Sequence, residues 1–312
     1  MSTNQELIKK ADIALADLAT AGRLSPEQTD RFLRNLIDQP TILNQVRTVA
    51  MNSPEMKINK IGFGSRILRP AVSGTSLTQA ERSKPDLGQV TLNTREVIAE
   101  VRIPYDVIED NIERGNVSGD PQSGAGGLHQ TIVDMIGARA ALDLEELALL
   151  GDKAHATDDF LKLHDGFLKL ASTNIVDATG APLTKDLIKA GVKAMPDRFL
   201  RNRAQMKHFL SVDNETEFRD LYASRQTALG DSQIQGNLPL FVFGSKLEGA
   251  ALMPTANGLF TNPLNMIFGI QRDIQIEYDK DITSREFIIV LTTRVAFEIE
   301  EQEAVVKYIG MI

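Results

Sequence analysis

Leu128, Ile132, Ile136, Ala140, Leu144 and Ala148 stand four residues apart, Val133 and Leu147 widen the stripe, and Gly151 ends it. This spacing puts apolar side chains on one face of an α-helix, because residues i and i+4 lie one above the other. At about 1.5 Å per residue the helix is roughly 35 Å long. The closing stretch of chain predicts extended structure on the same scale. Ile274, Ile276 and Tyr278 alternate with polar residues, residues 279–284 read as a turn, and residues 287–299 end in the alternation Val295, Phe297, Ile299. About 14 residues at roughly 3.3 Å each predict a strand of about 45 Å, well beyond the usual length. Elements of this reach, in a chain of 312 residues, exclude a single small compact domain.

Two further segments precede the helix. The first 50 residues predict amphipathic helices, one carried by Leu7, Ala11, Ala14, Leu15 and Leu18. A second is opened by Ser25, Pro26 and Gln28, which form a capping box with Pro at the first helical position. From Lys57 the pattern turns to strand. Ile58, Ile61, Phe63 and Ile67 lead to a polar tip, and Val90, Leu92, Val97, Ala99, Val101 and Ile103 lead back. An isolated two-stranded ribbon is marginal in water, so this one is expected to lie on something else, and a neighbouring subunit is the natural support. A glycine-rich run at 119–127 feeds the long helix. Beyond it a short helix is expected at 160–170, a helix capped by Thr184 at 184–195, a strand at 206–212 and a helix from Asn214 to about Arg225. The texture is α+β.

The search for chemistry returns no catalytic, cofactor-binding or metal site. Zero Cys removes disulfides, thiolate metal sites and cysteine nucleophiles together. The glycines at 124–127 lack the Gly-Lys-Ser/Thr ending of a phosphate loop and precede Leu128 and His129. His155 and His164 stand among Asp152, Asp158, Asp159 and Asp165, but no His pair has the three- or four-residue spacing that puts two ligands on one helix face, and a solvated acidic turn is the favoured reading. No stretch approaches the roughly 18 apolar residues of a membrane span, and the start lacks the basic-then-apolar order of a signal peptide, so synthesis in the cytosol and no membrane partner are expected. A formal charge of -8 argues against gripping nucleic-acid phosphates as the main task.

Charge is segregated along the chain. Residues 56–104 carry eight Lys/Arg against four Asp/Glu, whereas residues 105–165 carry thirteen Asp/Glu against four Lys/Arg. The expected consequence is a contact between copies, with Arg66, Arg69, Arg82 and Lys84 of one ribbon meeting Asp143, Glu145 or Glu146 on the exposed side of the next copy's long helix. Such a contact guides docking and register more than it adds stability.

The order of these elements resembles the major capsid protein of tailed bacteriophages, the Hong Kong ninety-seven type fold. The likeness rests on a helical arm, a long basic ribbon, a Gly-rich hinge, and a spine helix ending in Leu149-Leu150-Gly151-Asp152. It continues through His164-Asp165-Gly166-Phe167-Leu168, Arg294-Val295-Ala296-Phe297 and Glu303-Ala304-Val305-Val306. The resemblance implies an N-terminal arm at 1–55, an extended loop at 56–102, a peripheral domain at 103–165 and 262–299, and an axial domain at 166–261 and 300–312. It also implies hexamers and pentamers of an icosahedral shell around double-stranded DNA that meets the inner face without specific binding, in a virion assembled in the host cytoplasm. A portal is the implied partner, scaffolding by a separate protein or by none is expected, a decoration protein is a further candidate partner, and a cellular nanocompartment of the encapsulin kind is the alternative. The segment before the loop is about half as long as the scaffolding segment that some members lose, so an unprocessed chain is expected. Lys57, Lys60 and Lys84 lie in the loop where some members cross-link, but no partner Asn or carboxylate stands out, and no cross-link is predicted.

Overall fold

A computed structural model describes residues 41–104, apart from positions 64, 65, 71–73, 75, 77 and 80, together with residues 128–223 and 239–312. The predicted arm helices and the glycine-rich run lie outside the described residues. A short strand β1 (Arg47–Ala50) precedes the ribbon strands β2 (Glu55–Gly62) and β3 (Asp86–Asn93), and β4 (Arg95–Pro104) follows after one residue. Next come the long helix α1 (Leu128–Leu150), the single turn α2 (Phe167–Leu170), β5 (Asn174–Asp177), α3 (Lys185–Ala194), β6 (Lys207–Ser211) and α4 (Val212–Ala223). The chain closes with β7 (Leu240–Val242), β8 (Ser245–Ala250), β9 (Gly258–Thr261), β10 (Met266–Asp281), β11 (Glu286–Ile299) and β12 (Val305–Ile309).

The predicted long strand is β11, 14 residues in length. It forms the middle of a four-stranded sheet of order β1-β10-β11-β4, antiparallel to both neighbours. Alternation does the work here: Ile289, Leu291, Val295, Phe297 and Ile299 point inward and are buried. The strand predicted from Val90 to Ile103 is divided at Thr94. β3 stays in the ribbon with β2, while β4 leaves it to pair with β11 along Glu286↔Pro104 to Val295↔Arg95. Thr94 anchors the crossing, its N–H donating to the Pro54 carbonyl at 2.9 Å. The turn also shifts. β10 runs on to Asp281, whose carboxylate accepts from Thr283 N–H at 2.8 Å and Ser284 Oγ at 2.6 Å and so nucleates a tighter reversal than 279–284.

The end of α1 explains two motifs of the sequence. Leu144, Leu147, Ala148 and Leu149 are buried with Phe167, Phe297 and Ile299 in one core. Gly151 and Gly166 then face each other, with Gly166 N–H donating to the Gly151 carbonyl at 2.8 Å. A Cβ on Gly151 would overlap the His164 carbonyl, and one on Gly166 would lie 2.8 Å from the Ala148 carbonyl oxygen. This close approach requires extended backbone at His164 and Gly166. The helix expected at 160–170 is accordingly broken into a 3-10 turn, Leu161–Leu163, and α2.

A six-stranded sheet of order β5-β12-β9-β6-β8-β7 carries the second core. Phe209, Leu259 and Val305 project from one face toward the end of α1 and α2. Leu210, Phe260, Val306 and Tyr308 project from the other, where Ile188 and Val192 of α3 and Phe218 of α4 cover them. α3 lies over β5 and β12, and α4 over β6 and β8. Thr184 caps α3 as its sequence predicts, its Oγ1 accepting from Leu187 N–H at 3.3 Å, a contact worth about 1 kcal/mol. Among the described residues no helix is long and apolar enough to cross a membrane.

Candidate inter-subunit surface

The ribbon has two distinct halves. At its root, Met56 and Ile58 pack on Met51, Leu92, Ile267 and Ala296, so part of its support comes from its own chain. Lys60 Nζ donates to the Glu300 carbonyl at 2.6 Å and pairs with Glu301 at 3.3 Å. Toward the tip the same ribbon turns its apolar side chains outward: Leu68 is 79% exposed and Leu87 76%, with Ile61, Phe63 and Ile67 also open. Side chains of that size, grouped on one excursion, form the kind of surface that marks an interaction site. A cleft of about 990 Å³ lies between the ribbon and the connecting segments at 198–206, 262–265 and 300–304, and is lined by Lys60, Phe63, Leu87, Arg198, Phe199 and Leu264.

Arg66, Arg69, Arg82 and Lys84 are all exposed on this excursion. On α1, Asp143 pairs with Arg139 one turn back at 2.9 Å, and Glu146 is half-buried. Glu145 does not stand on the exposed side as its sequence predicts: it is 3% exposed. Its carboxylate accepts from Thr41 N–H at 3.1 Å, Thr41 Oγ1 at 3.2 Å and Ile42 N–H at 2.5 Å, joining residues more than a hundred positions apart. The reason lies in the local sequence. Leu144, Leu147, Ala148 and Leu149 make this end of the helix buried nearly all round, so a carboxylate at 145 must satisfy itself inside. That crowding was readable; the partner Thr41 was not.

The His and Asp residues between α1 and α2 hold loops together. His155 Nδ1 accepts from Asp158 N–H at 3.0 Å, Lys153 pairs with Asp165 at 2.8 Å, and Lys169 pairs with Asp152 at 3.1 Å. His164 donates from Nδ1 to the Asp165 carbonyl at 2.9 Å and meets Phe297 edge-on at 5.6 Å. Burial lowers its pKa from the usual histidine range, and burial raises that of Glu298 nearby. Among the described residues no group of three metal-ligating side chains converges.

An α+β subunit with one long helix, one long-stranded sheet, one six-stranded sheet and a two-stranded ribbon defines a fold class found in virus shells. A chain of the satellite phage P4 procapsid including size determination (Sid) protein matches with a TM-score of 0.65 at 11% identity, covering 100% of this chain and 98% of that one. The capsid of a native GTA particle matches at 0.60 and 14% identity over 88% of this chain and 97% of that one, and a chain of Mycobacterium phage Cain at 0.58 and 17% over 93% of each. At these identities the likeness establishes the fold, the Hong Kong ninety-seven type capsid fold. No family profile matches the sequence. The putative prophage capsid protein YqbE of Bacillus subtilis (strain 168), however, is 42% identical over 318 aligned residues, with 98% of each chain covered. The chain therefore belongs to the same family, the major capsid proteins of phages and prophages, and its role is structural.

Proposed function

We propose that copies of this chain assemble as hexamers and pentamers into the icosahedral shell of a tailed phage and enclose its double-stranded DNA without specific binding. The observation that carries this reading is the ribbon: rooted in its own chain by Met56, Ile58 and Lys60, it leaves Ile67, Leu68 and Leu87 exposed among the described residues, an apolar surface that a neighbouring copy would cover. The acidic balance supports an inner wall that does not grip the genome. In this reading the extended loop spans 56–102, the peripheral domain 103–165 and 262–299, and the axial domain 166–261 and 300–312, with an arm at 1–55. Assembly takes place in the host cytoplasm with a portal as partner, and scaffolding is by a separate protein or by none. The shell catalyses no reaction. Arg66, Arg69, Arg82 and Lys84 meet Asp143 and Glu146 of an adjacent copy, while Glu145 serves its own subunit. Negative-stain microscopy of the expressed chain tests the assembly: shells or capsomers are expected, and single molecules at every concentration would refute it. Particles from an induced host should absorb strongly at 260 nm, whereas a protein-filled compartment would not.

A further inference from the structure

We propose that residues 26–39 of the arm form a helix that lies along the open half of α1 in their own subunit, runs parallel to it and ends at Glu145. The contact lies within one subunit, so it goes beyond the assembly reading and does not depend on it.

The point at which the arm joins the body is fixed. Thr41 gives its N–H and its Oγ1–H to the Glu145 carboxylate at 3.1 and 3.2 Å, and its carbonyl accepts from Gln45 Nε2 at 2.8 Å. Ile42 and Leu43 then enter the core that also holds Leu144 and Leu147. A chain arriving at Thr41 therefore arrives on the face of α1 that carries Glu145. Toward the C-terminal end the helix is already enclosed, with Leu147, Ala148 and Leu149 buried in the same core as Ile42, Phe167 and Phe297. Toward the N-terminal end it is open. From Met135 to Leu142 no residue is buried, Arg139 is the one charged residue, and a Cβ on Gly137 would meet nothing within 4 Å among the described residues. Ala138, Ala141 and Leu142 stand at helical spacing before Glu145 and so share its face. A helix that is apolar nearly all round belongs in an interior, and among the described residues nothing encloses these two turns.

The arm supplies a matching sequence. Ser25, Pro26 and Gln28 open a helix and Pro40 closes it. Between them Phe32, Leu33, Leu36 and Ile37 make one apolar stripe, with Glu27, Arg31, Arg34 and Asp38 on the other side. A segment this short is marginal as an isolated helix in water, so it needs an apolar surface to pack on. Length and tether favour its own α1. At about 1.5 Å per residue, residues 26–39 span roughly 21 Å and α1 from Leu128 to Glu145 roughly 26 Å. Only Pro40 separates the end of the arm helix from Thr41, and so short a tether presents the stripe to α1 at an effective concentration on the order of millimolar. Two parallel helices rise equally, so the join sets the register: Leu33 falls beside Gly137 and Ala138, and Ile37 beside Ala141 and Leu142. The small residues at 137, 138 and 141 allow the axes to approach to about 8 Å.

The chain contains no Cys, so an introduced pair reports only on itself. Leu33→Cys with Ala138→Cys, and Ile37→Cys with Ala141→Cys, are oxidised with diamide in the dilute full-length chain. Most of each chain should close to an intramolecular disulfide, read as a monomer lighter by two hydrogens, because facing positions bring the Cβ atoms to about 4 Å. Arg34→Cys with Ala138→Cys, on the far side of the arm helix, should stay reduced. Disulfide-linked dimers would assign the arm to a neighbouring copy, and failure of both facing pairs to close would place it elsewhere; either result overturns the proposal. Because a disulfide can trap a rare encounter, a second measurement follows the rate at which maleimide labels the single variant Ala138→Cys. Adding Leu33→Ser and Leu36→Ser should speed that labelling by about tenfold or more while circular dichroism shows the body still folded. Arg139→Cys should label fast with either arm. Equal rates for Ala138→Cys with and without the arm substitutions would overturn the contact, and shells formed by the wild-type chain would still support the assembly reading.

Discussion

The ribbon and the helix-covered face of the six-stranded sheet are both rich in large apolar side chains, and they dispose of them in opposite ways. Phe260 and Tyr308 on the sheet are fully buried beneath α3 and α4, whereas Leu68 and Leu87 on the ribbon are more than three-quarters exposed. One region draws its stability from its own chain. The other leaves apolar surface open beyond its root, and in the proposed assembly a neighbouring copy covers it. This difference is what the following substitutions probe, beginning where the largest effect is expected. Phe260→Ala should destabilise the isolated subunit by about 3–5 kcal/mol in urea unfolding, because the packed sheet cannot close over the cavity. A loss below 1 kcal/mol would mean that the face is loosely packed and that the contrast with the ribbon is false.

The sheet also buries polar groups, and these give it a pH dependence. Tyr308 OH donates to His208 Nδ1 at 3.2 Å, His208 Nε2–H donates to Ser245 Oγ at 2.9 Å, and Ser245 donates to the Val242 carbonyl at 2.9 Å. Every member of this chain is satisfied only while the imidazole is neutral. Its stacking on Phe260, with centroids 4.1 Å apart, completes the burial that lowers the His208 pKa to about 3. A histidine whose folded pKa lies below its unfolded value stabilises fully above the unfolded pKa, near 6.5, and loses that contribution as pH falls toward the folded value. Subunit stability should therefore fall by up to about 1.4 kcal/mol per pH unit between pH 6 and pH 4, and His208→Gln should flatten the slope while lowering stability at pH 7. A wild-type profile with no such slope would show that the site admits a proton.

Much of this arrangement was legible. The spine helix, the Thr184 cap and the 14-residue closing strand follow from periodicity and capping chemistry, which are local and strong. The order of elements carried the capsid resemblance that a 42% identical relative bears out. What escaped is non-local. Nothing near Thr94 announces that the chain leaves the ribbon for β11, because both segments alternate equally well and only the choice of partner differs. The facing pair Gly151 and Gly166 was visible as a motif, but its cause is an approach between backbones fifteen residues apart. Glu145 was misread because acidic residues usually mark a helix's solvated side, a rule that fails where the surrounding side chains are all apolar.

Glu145 lies between the two extremes, since it is buried yet binds the chain segment that leads into β1 and the ribbon. Glu145→Ala leaves Thr41 and Ile42 N–H groups without their acceptor and should destabilise the subunit by about 1–3 kcal/mol. Glu145→Gln keeps one acceptor oxygen and should lose less. If both substitutions leave subunit stability unchanged but impair shells, the residue belongs with the ribbon as an assembly element after all.

The smallest effect on the subunit, and the most informative, is expected at the ribbon tip. Leu68→Ser and Leu87→Ser remove apolar surface that is already in water, so neither the transfer term nor the cavity term that penalises core substitutions applies. Monomer stability should change by no more than about 0.5 kcal/mol. Assembly should respond differently. Covering a leucine side chain contributes about 1.5–3 kcal/mol where a neighbour buries it, and a shell repeats that contact in every subunit. The concentration at which shells form, followed by sedimentation, should therefore rise about tenfold or more for either change, and further for the pair. Two results would break the comparison from opposite sides. A subunit destabilised by 2 kcal/mol or more would place the tip in its own core, and shells forming at the wild-type concentration would leave these leucines with no partner to cover them.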